Sequence, residues 1–141
     1  MIILDTDVVY ALMRPTPEAI VVDWLDSQPA ESIWLSSIGI FEIRLGIACL
    51  DDGKRRTALE TAFARLHNVV IEKRILDFDR AAAEQAAALA ADRRRVGRPG
   101  DMRDTQIAGI ALARRAAIAT RNTRHFGGLS VPVINPWQHP A

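Results

Sequence analysis

Five short apolar runs, at residues 2–5, 32–35, 69–76, 117–120 and 131–134, alternate with stretches whose apolar residues recur at helical spacing. A strand that returns to the same sheet through a helix must cross over, which makes neighbouring strands parallel and places helices on both faces. This alternation predicts a three-layer α/β domain, with helices flanking a mainly parallel sheet of four to five strands. The 141 residues suit a single domain spanning 1–141, large enough to bury a core without disulfides or structural zinc.

Local signals place the helices. Thr6 or Asp7 is expected to cap a helix over residues 8–13, which Pro15 and Pro17 stop. Pro17 opens a second helix, carrying Ile20, Val21, Trp24 and Leu25 at helical spacing, with Trp24 expected in the core. Ser36 or Ser37 caps a helix over residues 38–50 that ends at Asp51, Asp52 and Gly53, and a further helix spans 54–66. Asp77 to Asp79 cap an alanine-rich helix to about Arg95. Gly97, Pro99 and Gly100 form a loop, and Asp101 opens the last helix, through residue 116. The 38–50 helix is apolar on two sides, with Ile38, Phe41, Leu45 and Cys49 opposite Ile40, Ile43 and Ile47. A helix with two apolar faces needs a second surface, which points to a homodimer or to a docked partner.

Lone acids interrupt these patterns. Asp5 ends the first strand with Thr6 and Asp7 behind it, Glu42 falls within an apolar stripe, and Asp104 precedes Ile107, Ala108 and Ala111 by helical steps. An uncompensated carboxylate against an apolar face costs several kcal/mol, and a divalent cation is one partner that offsets this. Hard oxygen ligands suit Mg²⁺ or Mn²⁺. Open parallel sheets gather ligands outside the carboxyl ends of their strands, where Asp5 and the Thr120, Arg121, Asn122 segment fall. Thr6, Asp7, Asp101 and Thr120 are expected to support such a site. Read singly, Asp104 equally suits the first turn of a helix, where a carboxylate complements the dipole.

The net charge of +1 advertises no global field for nucleic acid, yet almost all the cations are arginine, with lysine only at 54 and 73. Arg98, Arg121 and Arg124 lie near the acids in chain order and are the expected phosphate contacts, whereas the cluster at 54–56 opens an amphipathic helix and reads as a solvated face. Cys49 can form no internal disulfide and is expected to be a buried thiol in a reducing cytoplasm. No apolar run is long enough for a signal peptide or membrane span, so the chain reads as soluble. His67 and His139 join no constellation.

The segments LDTDVV at 4–9, SSIGIFEIRLGI at 36–47, GRPGDMRDTQIAGIALA at 97–113, IATRNTRHF at 118–126 and VINPW at 133–137 together resemble the PIN-domain ribonucleases, and within them the VapC and FitB type toxins of bacterial toxin–antitoxin pairs. The resemblance covers nearly the whole chain and rests on the order and spacing of the segments. It matches the family's acids to Asp5, Glu42 and Asp104 and its fourth acidic position to Asn122. It implies one or two Mg²⁺ or Mn²⁺ ions, RNA as substrate, a homodimer, and a small antitoxin that covers the site and binds DNA. Relatives usually carry asparagine at the place of Asp7 and often aspartate at that of His125, which suits a surface or phosphate contact here.

Two other readings remain at this point. Asp5 and Asp7 have the DxD spacing of a haloacid-dehalogenase-like phosphatase, although Val9 stands where threonine is usual there and neither lysine lies in a matching motif. Alternatively, a noncatalytic partner-binding module would use the acids only to receive an arginine-rich peptide.

Overall fold

The computed structural model describes residues 1–138, so His139 lies outside the described residues. The chain runs β1 (Ile2–Leu4), α1 (Thr6–Met13), α2 (Ala19–Asp26), β2 (Ile33–Ser36), α3 (Ser37–Ala48), α4 (Lys54–Arg65), β3 (Ile75–Leu76), α5 (Arg80–Arg95), α6 (Met102–Arg114), β4 (Ala117–Ala119) and β5 (Val133–Ile134). The five strands form one all-parallel sheet in the order β3-β2-β1-β4-β5. The chain builds outward from β1 through β2 to β3, then returns to the other side of β1 as β4. The crevice outside the carboxyl ends of β1 and β4 is therefore the topological switch point, where such sheets place ligands.

Two apolar clusters cover the two faces. Val8, Val9, Val21, Trp24, Ile43, Ile47 and Phe63 pack on one side, and Ile107, Ala108, Ile110, Ala111, Ile118 and Phe126 on the other. Trp24 is a core residue, as its helical spacing indicates. Gly109 lets α6 approach α5 closely: a Cβ there would stand 2.5 Å from the Ala82 carbonyl oxygen and 2.7 Å from the Ala86 Cβ.

Several sequence-based boundaries move. Asp5, rather than Thr6 or Asp7, caps α1, its Oδ1 accepting the Thr6 N–H at 2.9 Å. The valine-rich stretch after α4 is not strand: Leu66–Val70 form a π-helical turn, closed by the Ile71 N–H on the Leu66 carbonyl. Glu72 and Lys73 then adopt positive φ, and only Ile75 and Leu76 pair with β2. Arg74 holds this reversal, donating from Nε to the Ile33 carbonyl at 2.8 Å and from Nη2 to the Val70 carbonyl at 2.9 Å. β-branched composition favours strands only where a pleated partner exists, and here the chain turns before one is reached. Residues 30–32 form a 3-10 turn, so β2 starts at Ile33, and β5 starts at Val133.

α3 buries one apolar side and exposes the other. Ile43 and Ile47 lie in the core, while Phe41 is 54% and Leu45 39% exposed. Cys49 caps the helix C-terminus and is exposed, which corrects the expectation of a buried thiol. No helix of the described residues is long and apolar enough to cross a membrane.

Candidate active site

Each acid reaches the switch point on a different element. Asp5 follows β1 directly and is kept in register by its N–H on the Ala119 carbonyl at 2.9 Å. Glu42 sits in the second turn of α3, which starts where β2 ends because the Ser36 hydroxyl caps it, accepting the Gly39 N–H at 2.9 Å. Asp104 occupies the first turn of α6, whose start is fixed by Asp101 accepting the N–H groups of Arg103 and Asp104 at 2.9 and 3.2 Å. Asp101 thus supports the site by placing a helix end. Thr120 closes β4 and donates its hydroxyl to Asp5 Oδ2 at 2.8 Å.

Asp104 lies within electrostatic range of both Asp5 and Glu42. Burial, then the neighbouring Asp7 charge, push the Asp5 carboxyl up to about 7, against the lowering effect of the Thr120 and Thr6 hydrogen bonds, and Asp104 adds to the rise. Glu42 is raised chiefly by burial, with Arg103 opposing and Asp104 and Asp101 reinforcing. Asp104 is raised by burial and by Asp101, and lowered by His125. One negative region therefore extends over Asp5, Glu42 and Asp104, each acid paying desolvation that local donors do not cancel.

Asp7 Oδ1 is buried without a hydrogen-bond partner. Thr6 Oγ1 and Glu42 Oε1 are buried too, and the Thr6 hydroxyl lies close enough to lower the Glu42 carboxyl. A buried acceptor left without a donor costs about 1–3 kcal/mol, and oxygens of this kind in an acidic region fit a hard divalent cation and the water it retains. Among the described residues no group of three acids, histidines or cysteines is arranged to hold a metal ion. Two of the acids instead face basic side chains. His125 Nδ1 lies 3.0 Å from Asp104 Oδ2, and Arg103 Nη1 lies 3.9 Å from Glu42 Oε2. Asp104 and Glu42 would have to turn from these partners to hold a metal together with Asp5.

A cleft of about 760 Å³ adjoins Asp104 and is lined by Asp101, Arg93, Arg98, Arg124 and His125 among others. Arg98 and Arg124 thus meet Asp104 in one cleft, as their order in the chain suggests. Arg121 does not line it: its guanidinium stacks on the Trp137 ring at 4.8 Å, and its link to the acids is a backbone N–H donated to Asp7 Oδ2 at 2.9 Å. Asn122 is exposed beside Asp7. Sequence reasoning left two participants unassigned. Arg93 enters the cleft from the end of α5 and donates to the His125 carbonyl at 3.1 Å. Arg103 faces Glu42 and rests over Phe41 at 5.3 Å. A helical wheel of α6 puts Arg103 next to Asp104 but does not say which neighbouring helix it meets.

Residues 2–128 match the PIN domain family. Among curated proteins, the chain is 38% identical to the plasmid stability protein StbB of Pseudomonas syringae pv. tomato, over 98% of this chain and 99% of that one. It is 35% identical to the VapC ribonuclease Y4jK of Sinorhizobium fredii over 98% and 99%, and 36% identical to the toxin FitB of Neisseria gonorrhoeae over 97% and 99%. The fold is similar to that in the structure of FitAB bound to an IR36 DNA fragment, with a TM-score of 0.88 and 35% identity, covering 100% of this chain and 99% of that one. The family match over residues 2–128 and these likenesses show that the chain belongs to the PIN-domain family, among relatives named as VapC and FitB toxins.

Proposed function

We propose that this chain is a metal-dependent endoribonuclease, the toxin of a toxin–antitoxin pair, hydrolysing RNA phosphodiester bonds. What supports the reading is that Asp104 raises the carboxyls of both Asp5 and Glu42, with buried oxygens nearby and an arginine-lined cleft alongside. Asp5, Glu42 and Asp104 would hold Mg²⁺ or Mn²⁺, with Asn122 contributing at the rim. When bound, such an ion activates water and neutralises charge on the leaving oxygen.

The protein's own groups supply the rest. Thr120 and the Thr6 N–H fix both Asp5 oxygens in place. Asp101 sets the height of Asp104 through the α6 cap. Arg98 and Arg124, with Arg93 behind them, receive the phosphates of single-stranded or structured RNA in the cleft. Asp5 has both oxygens accepting hydrogen bonds, and neither lysine stands beside it, Lys54 opening α4 and Lys73 preceding β3; this disfavours a phosphatase that uses Asp5 as nucleophile.

The toxin role rests on the relatives named VapC ribonuclease and toxin FitB, and this reading implies a cytoplasmic protein with a cognate, DNA-binding antitoxin. A groove of about 1140 Å³ between α1 and α4, apolar at Tyr10, Met13, Leu59 and Leu66 and edged by Arg14 and Arg65, suits an amphipathic antitoxin helix with acidic flanks. The exposed side of α3, with Phe41 and Leu45, suits a homodimer contact.

An RNA-cleavage assay of purified, antitoxin-free protein tests the reading. Wild type is expected to cut single-stranded or transfer RNA with Mg²⁺ or Mn²⁺ and to stop with chelator, and Glu42→Gln to be inactive throughout. Protein that binds its partner yet cleaves no RNA with either metal supports the noncatalytic module. An acyl-phosphate on Asp5 supports the phosphatase.

A further inference from the structure

The turn from Thr120 to Asn122, closed by the Asn122 N–H on the Thr120 hydroxyl at 3.1 Å, packs its donors against one carboxylate. Asp7 Oδ2 accepts the Arg121 N–H at 2.9 Å and is approached by Thr120 Oγ1 at 3.3 Å and Asn122 Nδ2 at 3.5 Å. Donors from three consecutive residues thus converge on one oxygen, while Asp7 Oδ1 is buried and unpartnered. Thr120 has one hydroxyl proton, and its shorter contact, 2.8 Å to Asp5 Oδ2, takes it. What Asp7 fixes is therefore the turn itself, through Arg121, and the side-chain amide of Asn122.

The amide orientation follows from chemistry. An ionised carboxylate only accepts, so the Asn122 atom facing Asp7 is its nitrogen, and the amide oxygen turns the other way. Asn122 then presents an acceptor while carrying no charge of its own. Asp7 stands behind it, its Oδ2 3.3 Å from the same Thr120 hydroxyl that bonds Asp5. Resting on the cation-site reading above, we propose that Asp7 is a positioning residue, holding the Thr120–Asn122 turn with the Asn122 amide oxygen outward and giving the site from behind the negative charge that Asn122 lacks. A latch with no such role would need only an acceptor for the Arg121 N–H, which asparagine also provides.

Relocating the charge separates the two. Calorimetric titration with Mn²⁺ alone would compare wild type, Asp7→Asn, Asn122→Asp and the Asp7→Asn/Asn122→Asp double variant, with thermal melting as a check of folding. Asp7→Asn is expected to weaken Mn²⁺ binding by about tenfold or more, the range for partners behind a metal ligand. The double variant, which moves the carboxylate across the same contact, is expected to recover to within about threefold of wild type. Asn122→Asp alone faces two carboxylates across that contact, so its metal-free melting point should fall and its rise on adding Mn²⁺ should exceed that of wild type. If Asp7→Asn does not fold, this last comparison carries the test, and equal rises in the two proteins overturn the proposal. Unchanged binding in Asp7→Asn, or a double variant no better than Asp7→Asn, also overturns it while leaving the cation site standing. Wild type that binds no Mn²⁺ overturns both.

Discussion

The Thr120 hydroxyl donates to Asp5 Oδ2 at 2.8 Å, joining two residues 115 positions apart at the carboxyl ends of adjacent strands. The β1–β4 pairing, Leu4 against Ala119, sets that meeting, so the sheet register places the first acid of the site. Asp5 nevertheless remains buried with its carboxyl pushed up to about 7, and its ionised form strains the fold that presents it.

Asp5→Asn should therefore abolish RNA cleavage and stabilise the metal-free protein. A folded-state value of about 7 against 3.8 means that the native state binds the proton more tightly. Stability from this group is full below pH 4 and is lost as pH rises through 7, by roughly 4 kcal/mol at most. Denaturant melts in chelator should show Asp5→Asn gaining on wild type from pH 4 to pH 7.5 and level thereafter. A gap that does not change with pH would refute this.

Arg98 and Arg124 face the cleft, whereas the Arg121 guanidinium is engaged by Trp137. In a Glu42→Gln background, Arg98→Ala and Arg124→Ala should each reduce the salt dependence of single-stranded RNA binding by about 0.7 in the log–log slope. Arg121→Ala should change it less. Fluorescence anisotropy across a salt series reads all three.

The outer side of α3 exposes Phe41 and Leu45 beside a well-buried inner side. Leu45→Glu should turn a dimer into a monomer in sedimentation experiments while leaving the melting profile of the subunit cooperative. A wild-type protein that sediments as a monomer at tens of micromolar would remove the interface.

Gly109 sits where α6 crosses α5. Gly109→Ala forces its new Cβ against the Ala82 backbone, and an overpacked core contact of this kind costs about 1–3 kcal/mol. Chemical denaturation should find that loss, although alanine is the better helix former.

The parallel sheet was legible in its apolar runs bounded by caps, and the candidate acids stood out locally, Asp5 at a strand end and Glu42 and Asp104 within helical stripes. Asp101 and Ser36 show how far this goes, since their capping roles fix the start of the helices that carry Asp104 and Glu42. What was not legible depends on packing between elements. Arg103 meets Glu42 only because α6 lies against α3, and Arg93 meets His125 across 32 residues. The π-helical turn defeated composition because Val69 and Val70 look like strand, while Arg74 and two positive-φ residues turn the chain away. Cys49 was misplaced for a related reason, as the apolar outer side of α3 finds no cover within the described residues of this chain.

Anomalous diffraction from crystals of wild type and Glu42→Gln grown or soaked with Mn²⁺ tests most directly whether Asp5, Glu42 and Asp104 share a cation. The expected result is a manganese peak about 2.0–2.3 Å from carboxylate oxygens of at least two of them, with the third reaching it directly or through one water, and a weakened peak in Glu42→Gln. Manganese bound elsewhere, or Asp104 and Glu42 still turned toward His125 and Arg103 at saturating Mn²⁺, would contradict it.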